Sequence, residues 1–386
     1  MRRATFFILA TVTGHLVTTA CAKAPKPGDP VGGLTGEERR LFEGGKVEFE
    51  RVFTPQTGLG PLFNADACAE CHESPVSGGS GDEVEVHVSA FLAEGPLCDP
   101  LVQKGGPVIQ QKVTPALKAA LGIDAEPVPA EATARAMRTT PDLFGFGLLD
   151  AVPDAVILAL ADPDDRDGDG ISGRPNRFFD GRLGRFGRKA LVPTLREFNA
   201  GAFVVEQGIT NPEVLSEETV GGQPIPPGVD PVPEPEITEK ALEATDAFVR
   251  FLAPPAPLKL TRVATQGRDI FSRIGCHRCH VPTLKTGDHA VKALSNREVA
   301  AYTDLLLHDM GPELADICLG LATPSEFRTE PLMGLRLSER FLHDGRAGST
   351  EEAIRLHGGE GAAARDKFGA LSSAARQALL EFLKSL

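Results

Sequence analysis

The chain has 386 residues, 41% of them apolar, with 41 glycines and 31 prolines. That is enough for two domains with buried cores and much loop. The formal charge of −13, with no basic run to offset it, argues against a nucleic-acid partner. There is no tryptophan, and Tyr302 is the one tyrosine.

Arg2 and Arg3 precede an apolar stretch from Ala4 to about Val17, too short for a membrane span and right for an export signal. Thr18-Thr19-Ala20-Cys21 has the form of a lipobox, which would leave Cys21 lipidated at the new N-terminus. Ala20-Cys21-Ala22 also suits an ordinary signal peptidase. The lone cysteine has no other evident job there, which favours a lipid anchor. Residues 1–21 are thus an expected signal, and the mature chain is expected in the periplasm. Residues 22–35, rich in Pro and Gly, read as a tether. Thr35 is placed to cap a helix over about 37–53, with Leu41, Phe42, Val47 and Phe49 among its apolar residues. Val84, Val86 and Val88 alternate as a short strand, with Glu85 and His87 on its polar, solvated side.

Asp165, Asp167 and Asp169 alternate ahead of Gly170 and Ile171. Carboxylates at this spacing, with the Ile171 carbonyl, converge on a hard cation, so a structural Ca2+ is expected. Position twelve is Asn176 rather than the usual glutamate, which points to a calcium loop outside an EF-hand. A helix is predicted over 238–252, with Leu242, Thr245, Phe248, Val249 and Leu252 on one face. Pro254, Pro255 and Pro257 stop it and form a stiff linker. A further helix starts near Thr261 or Thr265. The last carries Leu371, Ala375, Leu379, Phe382, Leu383 and Leu386 on one face.

Cys68-Ala69-Glu70-Cys71-His72 and Cys276-His277-Arg278-Cys279-His280 are both C-x-x-C-H. Two thiols at i and i+3 on a turn reach the two vinyl groups of one haem, and the following histidine lies under the iron. A redox disulfide or a zinc site needs no such trailing histidine. Two copies, each after a helix in an exported chain, predict two haem c groups. Each half then reads helix, cysteine motif, variable loops, closing helix. The expected fold is mainly α: two c-type cytochrome domains with long irregular loops, 36–253 (with the calcium-type loop) and 258–386. Cys98 and Cys318 remain, and in an oxidising compartment leftover thiols often pair.

Phe341-Leu342-His343-Asp344-Gly345-Arg346-Ala347, followed by Glu351, Glu352 and His357, resembles the C-terminal signature of bacterial di-haem cytochrome c peroxidases and the related methylamine-utilisation enzyme. Gly58–Asn64, Phe146–Pro153, Gly208–Pro212, Leu307–Gly311 and Phe327–Leu332 widen the resemblance to the di-haem oxidoreductase family, whose members are labelled peroxidase or thiol oxidoreductase. The resemblance implies that His357, fourteen residues after His343, ligates the C-terminal haem where relatives have Met or Tyr. It implies that electrons enter at that haem, and that peroxide or oxygen reacts at the N-terminal one. It also makes Glu206 and Glu213 the candidate acid–base residues, since Glu206…Asn211-Pro212-Glu213 is similar, with altered spacing, to the peroxidases' distal stretch. Arg188 and Met333 stand where tryptophans are expected, so any relay between haems would use other groups. The implied partners are a periplasmic donor, a small cytochrome or cupredoxin, and a small oxidant.

Two other functions fit the residues. A non-catalytic electron-transfer cytochrome would have both haems six-coordinate, with His308 or His343 on the first iron. A thiol oxidoreductase would use free C-x-x-C pairs, which the trailing His72 and His280 argue against. His289 reads as a loop residue.

Overall fold

The computed structural model describes residues 24–92 and 97–386; the export signal and Cys21 lie outside the described residues. Helices outweigh strands, but most residues lie in loops and turns, so the mainly helical expectation holds for the framework. That framework comprises α1 (Gly36–Phe49), α2 (Leu195–Gln207), α3 (Glu239–Phe251), α4 (Arg262–Ile274), α5 (Thr350–Leu356) and α6 (Ser373–Leu383). No helix among the described residues is long and apolar enough to cross a membrane.

Local sequence explains where these helices start. Thr35 and Glu38 form a reciprocal capping box on α1, and Thr238 and Thr261 cap α3 and α4 through their hydroxyls. Helix α1 ends short of the expected residue 53, because the chain turns and the Phe53 amide donates to the Asp66 carbonyl at 2.8 Å. Helix α1 lies against α3, and α4 against α6. Each pair crosses at a glycine. A Cβ on Gly45 would sit 2.0 Å from the Ala244 carbonyl oxygen, and one on Gly267 would sit 1.9 Å from that of Ala378. The expected faces of α3 and α6 are the buried ones: Leu242, Phe248 and Leu252 in the first half, Leu379, Phe382 and Leu383 in the second.

Two features depart from expectation. The segment read as a tether is tied down from Asp29 onward: the Val31 amide donates to Phe251 O (2.8 Å) and the Ala253 amide to Asp29 O (3.0 Å). The short strand candidate is the centre of an antiparallel sheet. Strand β1 (Val84–Leu92) pairs with β2 (Leu97–Asp99), β3 (Val108–Ile109) and β4 (Ala134–Thr139), with Val86 opposite Met137 and His87 opposite Ala136. Val86, Val88 and Ala90 pack into a small core with Leu101 and Ile109. The other face carries Glu85 and His87. His87 is not solvated: its side chain is 12% exposed and meets Glu85 at 3.0 Å.

The halves are stitched together. The largest apolar core takes Phe144, Leu149 and Phe248 from one half and Leu294, Leu305 and Leu306 from the other. Buried Asp316 receives Arg138 at 2.6 Å and Lys189 at 2.9 Å. Cys98 and Cys318 form a disulfide 220 residues apart in sequence. Closing so long a loop restricts the unfolded chain, so Cys98→Ser should cost about 2–5 kcal/mol. Thermal unfolding of the oxidised protein checks this; an unchanged midpoint would contradict it.

Candidate active site

Cys68–Cys71 is a single helical turn with His72 at its C-cap. His72 Nδ1 lies 3.1 Å from the Gly79 carbonyl. A carbonyl only accepts, so Nδ1 carries the proton and Nε2 is the nitrogen able to ligate a metal. The second motif repeats this device, with His280 Nδ1 2.9 Å from Tyr302 O. His357 caps the C-terminus of α5, with its Nδ1 2.7 Å from Ala353 O. Burial lowers all three imidazole pKa values; His280 falls to about 4, through burial and then the neighbouring His357. All three are therefore neutral at pH 7, the state in which an imidazole can ligate a metal.

His280 and His357 line one cavity of about 540 Å³, with Cys276 and Cys279 on its wall. That volume is in the range of cofactor sites. The cavity extends past Arg188 and Glu330 to Ser74 and Asp82, just beyond the first motif. Arg188 meets Glu330 at 3.0 Å, and Met333 packs beside Gly145. Both residues at the expected tryptophan positions thus border the space between the two motifs.

The donor set fits two haems. Four motif cysteines are free, three histidines are oriented through Nδ1, and Gln207 Nε2 and His277 Nδ1 are buried beside the motifs without hydrogen-bond partners. The thiols do not fit free-thiol chemistry. Burial pushes Cys68 and Cys276 up to about 12, and Cys71 also upward, leaving no reactive thiolate.

Glu206 and Glu213 part company. Glu206, at the end of α2, reaches the first motif. Its Oε2 accepts from Asn64 Nδ2 at 3.0 Å, and its carboxyl faces that of Glu85 within hydrogen-bond reach. The next residue, Gln207, accepts the Cys68 thiol at 3.6 Å. Burial and then the Glu85 charge raise the Glu206 pKa well above the carboxylate range. Glu213 instead pairs with Arg196, which also holds Glu239 at 2.7 Å, in a partly exposed network. Asn64, Glu85 and Gln207 were missed as site residues; Asn64 and Gln207 each sit inside or beside a quoted family segment.

His308 and His343 are engaged by other side chains. His308 Nε2 meets Asp304 at 2.8 Å and its Nδ1 meets Glu360 at 2.6 Å, so neither nitrogen is left for iron. Burial would lower its pKa, but hydrogen bonds to Asp304, Cys279 and Glu360 outweigh this and keep it charged. His343 stacks on Phe327 at 4.3 Å. Asp304 and Glu360 are further residues the sequence reading missed; Asp304 is four residues before His308 in an irregular stretch. His308→Ala would strand two acids and should cost about 3–5 kcal/mol, read as a lower unfolding midpoint.

The acidic loop is drawn differently from expectation. Asp162 joins Asp165 and Asp167, their carboxylates all within 4.8 Å of one another. Asp169 turns away to pair with Arg278 of the second motif, and Ile171 lines the cavity.

Fold and site together define a protein built to hold two c-type haems. The pattern described as "Di-haem oxidoreductase, putative peroxidase" matches residues 130–386, and the chain belongs to that family. It is thus an oxidoreductase with haem cofactors. No curated protein matches it. Solved structures similar to it include hydrazine synthase of Kuenenia stuttgartiensis, under xenon (14% identity, 99% of this chain and 100% of that one, TM-score 0.42). A MauG-like protein associated with microbial copper homeostasis is also similar (16%, 95% and 94%, TM-score 0.40). So is the diheme peroxidase BthA of Burkholderia thailandensis (16%, 90% and 86%, TM-score 0.42). Likenesses this distant assign no residue.

Proposed function

We propose that the chain is an exported peroxidase whose two haems divide the work. Cys276, Cys279, His280 and His357 would hold the haem that takes in electrons, and Cys68, Cys71 and His72 the haem that offers a site for peroxide. The observation that carries this is an asymmetry. A second imidazole shares the cavity with His280, whereas the groups gathered around the first motif include the carboxyls of Glu206 and Glu85. Haem iron supplies electron storage and an open coordination position at which an O–O bond can be cleaved. The chain supplies the proton chemistry. Glu206, kept protonated by its surroundings, can give its proton to the departing peroxide oxygen and take back the proton of the other.

The electron-transfer reading would need another strong ligand at the first iron. His308 is bonded through both nitrogens, His343 stacks on Phe327, and Met137 is 55% exposed. The rest of the reading is a periplasmic location, with or without a lipid on Cys21, a small cytochrome or cupredoxin as donor, and Ca2+ at the acidic loop. The tight grouping of Asp162, Asp165 and Asp167 supports the cation. Peroxide consumption by the holoprotein with a reduced donor tests the proposal: saturable turnover supports it, and none with any donor would refute it.

A further inference from the structure

The acid–base site contains more than one glutamate. Glu206 stands in a hydrogen-bonded row drawn from three parts of the chain. Asn64, 9% exposed, follows Phe63 and donates its Nδ2 to Glu206 Oε2 at 3.0 Å. The Asn64 Oδ1 is itself fixed, accepting the Gln111 amide at 2.9 Å. On its other side the Glu206 carboxyl meets that of Glu85 on β1. Two residues along the same face of that strand, His87 Nε2 meets Glu85 Oε2 at 3.0 Å. Antiparallel pairing with β4 on one side and β3 on the other locks the strand's register, so the face carrying Glu85 and His87 cannot turn over.

We propose that Glu85 and His87 are positioning residues for the peroxide site, holding Glu206 in place through the row Asn64–Glu206–Glu85–His87. The inference rests on the functional reading above and extends it by giving Glu85 a defined part and by adding His87. Two carboxyls in contact cannot both be ionised, so one carries the proton. The environment decides which. Burial would raise Glu85, but the hydrogen bond from His87, together with the fields of His87, His72 and Arg138, outweighs it and favours its carboxylate. Burial and then the charge of Arg138 keep His87 neutral, so it acts as an N–H donor rather than as a cation. The Glu206 hydroxyl then donates to Glu85, and the proton is held on the residue nearest the Cys68 segment. Without His87, Glu85 loses its partner and the proton is free to settle on either acid.

Cyanide association with the ferric holoprotein is a suitable readout, because hydrogen cyanide must surrender a proton to a nearby base as it binds, and no turnover is involved. His87→Ala and Glu85→Gln should each slow association about 10²-fold, the effect expected of misplacing a reacting group. The electronic spectrum of both haems should be unchanged. His87→Gln, which keeps an N–H donor toward Glu85, should recover most of the rate. Wild-type rates in both His87→Ala and Glu85→Gln, with Glu206→Gln slow, would overturn this inference and leave the role of Glu206 intact. A wild-type rate in Glu206→Gln as well would overturn the functional reading itself. If His87→Ala fails to fold, Glu85→Gln, nearly isosteric, decides the matter alone.

Discussion

Replacing Glu206 by glutamine should lower peroxide turnover by roughly 10²- to 10⁴-fold, the usual contribution of a positioned acid–base group. Glutamine keeps the shape and can still accept from Asn64, which now bonds Glu206 Oε2 at 3.0 Å. What it loses is the ability to take and return a proton. The loss should therefore fall on kcat and kcat/KM together, with haem content and spectrum unchanged. Glu213→Gln is the matched control. That carboxylate is paired with Arg196 in a partly exposed network, so the change should leave turnover within about twofold and stability within about 1 kcal/mol. Equal losses in the two variants, or none in Glu206→Gln, would remove Glu206 from the chemistry.

The second large effect concerns His357. Methionine in its place should keep the C-terminal haem six-coordinate but raise its potential markedly, within the roughly 0.8 V that axial ligands span. The bis-imidazole signature should be replaced by that of His/Met ligation. His357 stands at the C-cap of α5, with Nδ1 bonded to Ala353 O at 2.7 Å, and shares its cavity with His280. Exchange should thus change the ligand without disturbing the helix. A potentiometric titration followed at the haem bands reads the shift. An unmoved potential would mean that His357 is not bound to iron.

What could be read from the sequence was local. A C-x-x-C-H motif carries its attachment cysteines and proximal ligand within five residues, and α3 and α6 present the apolar faces that their periodicity predicts. His357 could be named as a candidate because its distance from His343 is a short-range pattern. The remainder depends on long-range pairing. Glu85 and Glu206 are 121 positions apart and meet only because β1 sits centrally in its sheet and α2 ends beside the first motif. Alternation alone placed His87 on a polar face and could not say that this face is covered. The acidic loop shows the same limit. Asp165 and Asp167 obey the local pattern, but Asp169 is claimed by Arg278, 109 residues away. Asp162, before the pattern begins, takes a place in the cluster instead.

The division of labour between the haems stands or falls on coordination number. Electron paramagnetic resonance of the fully oxidised holoprotein, with magnetic circular dichroism to identify axial ligands, reads it directly. The expected spectrum has one high-spin ferric centre, missing in a His72→Ala variant, and one low-spin centre with two imidazoles, missing in His357→Ala. Two low-spin bis-imidazole centres in the resting protein would contradict the account and describe an electron carrier instead.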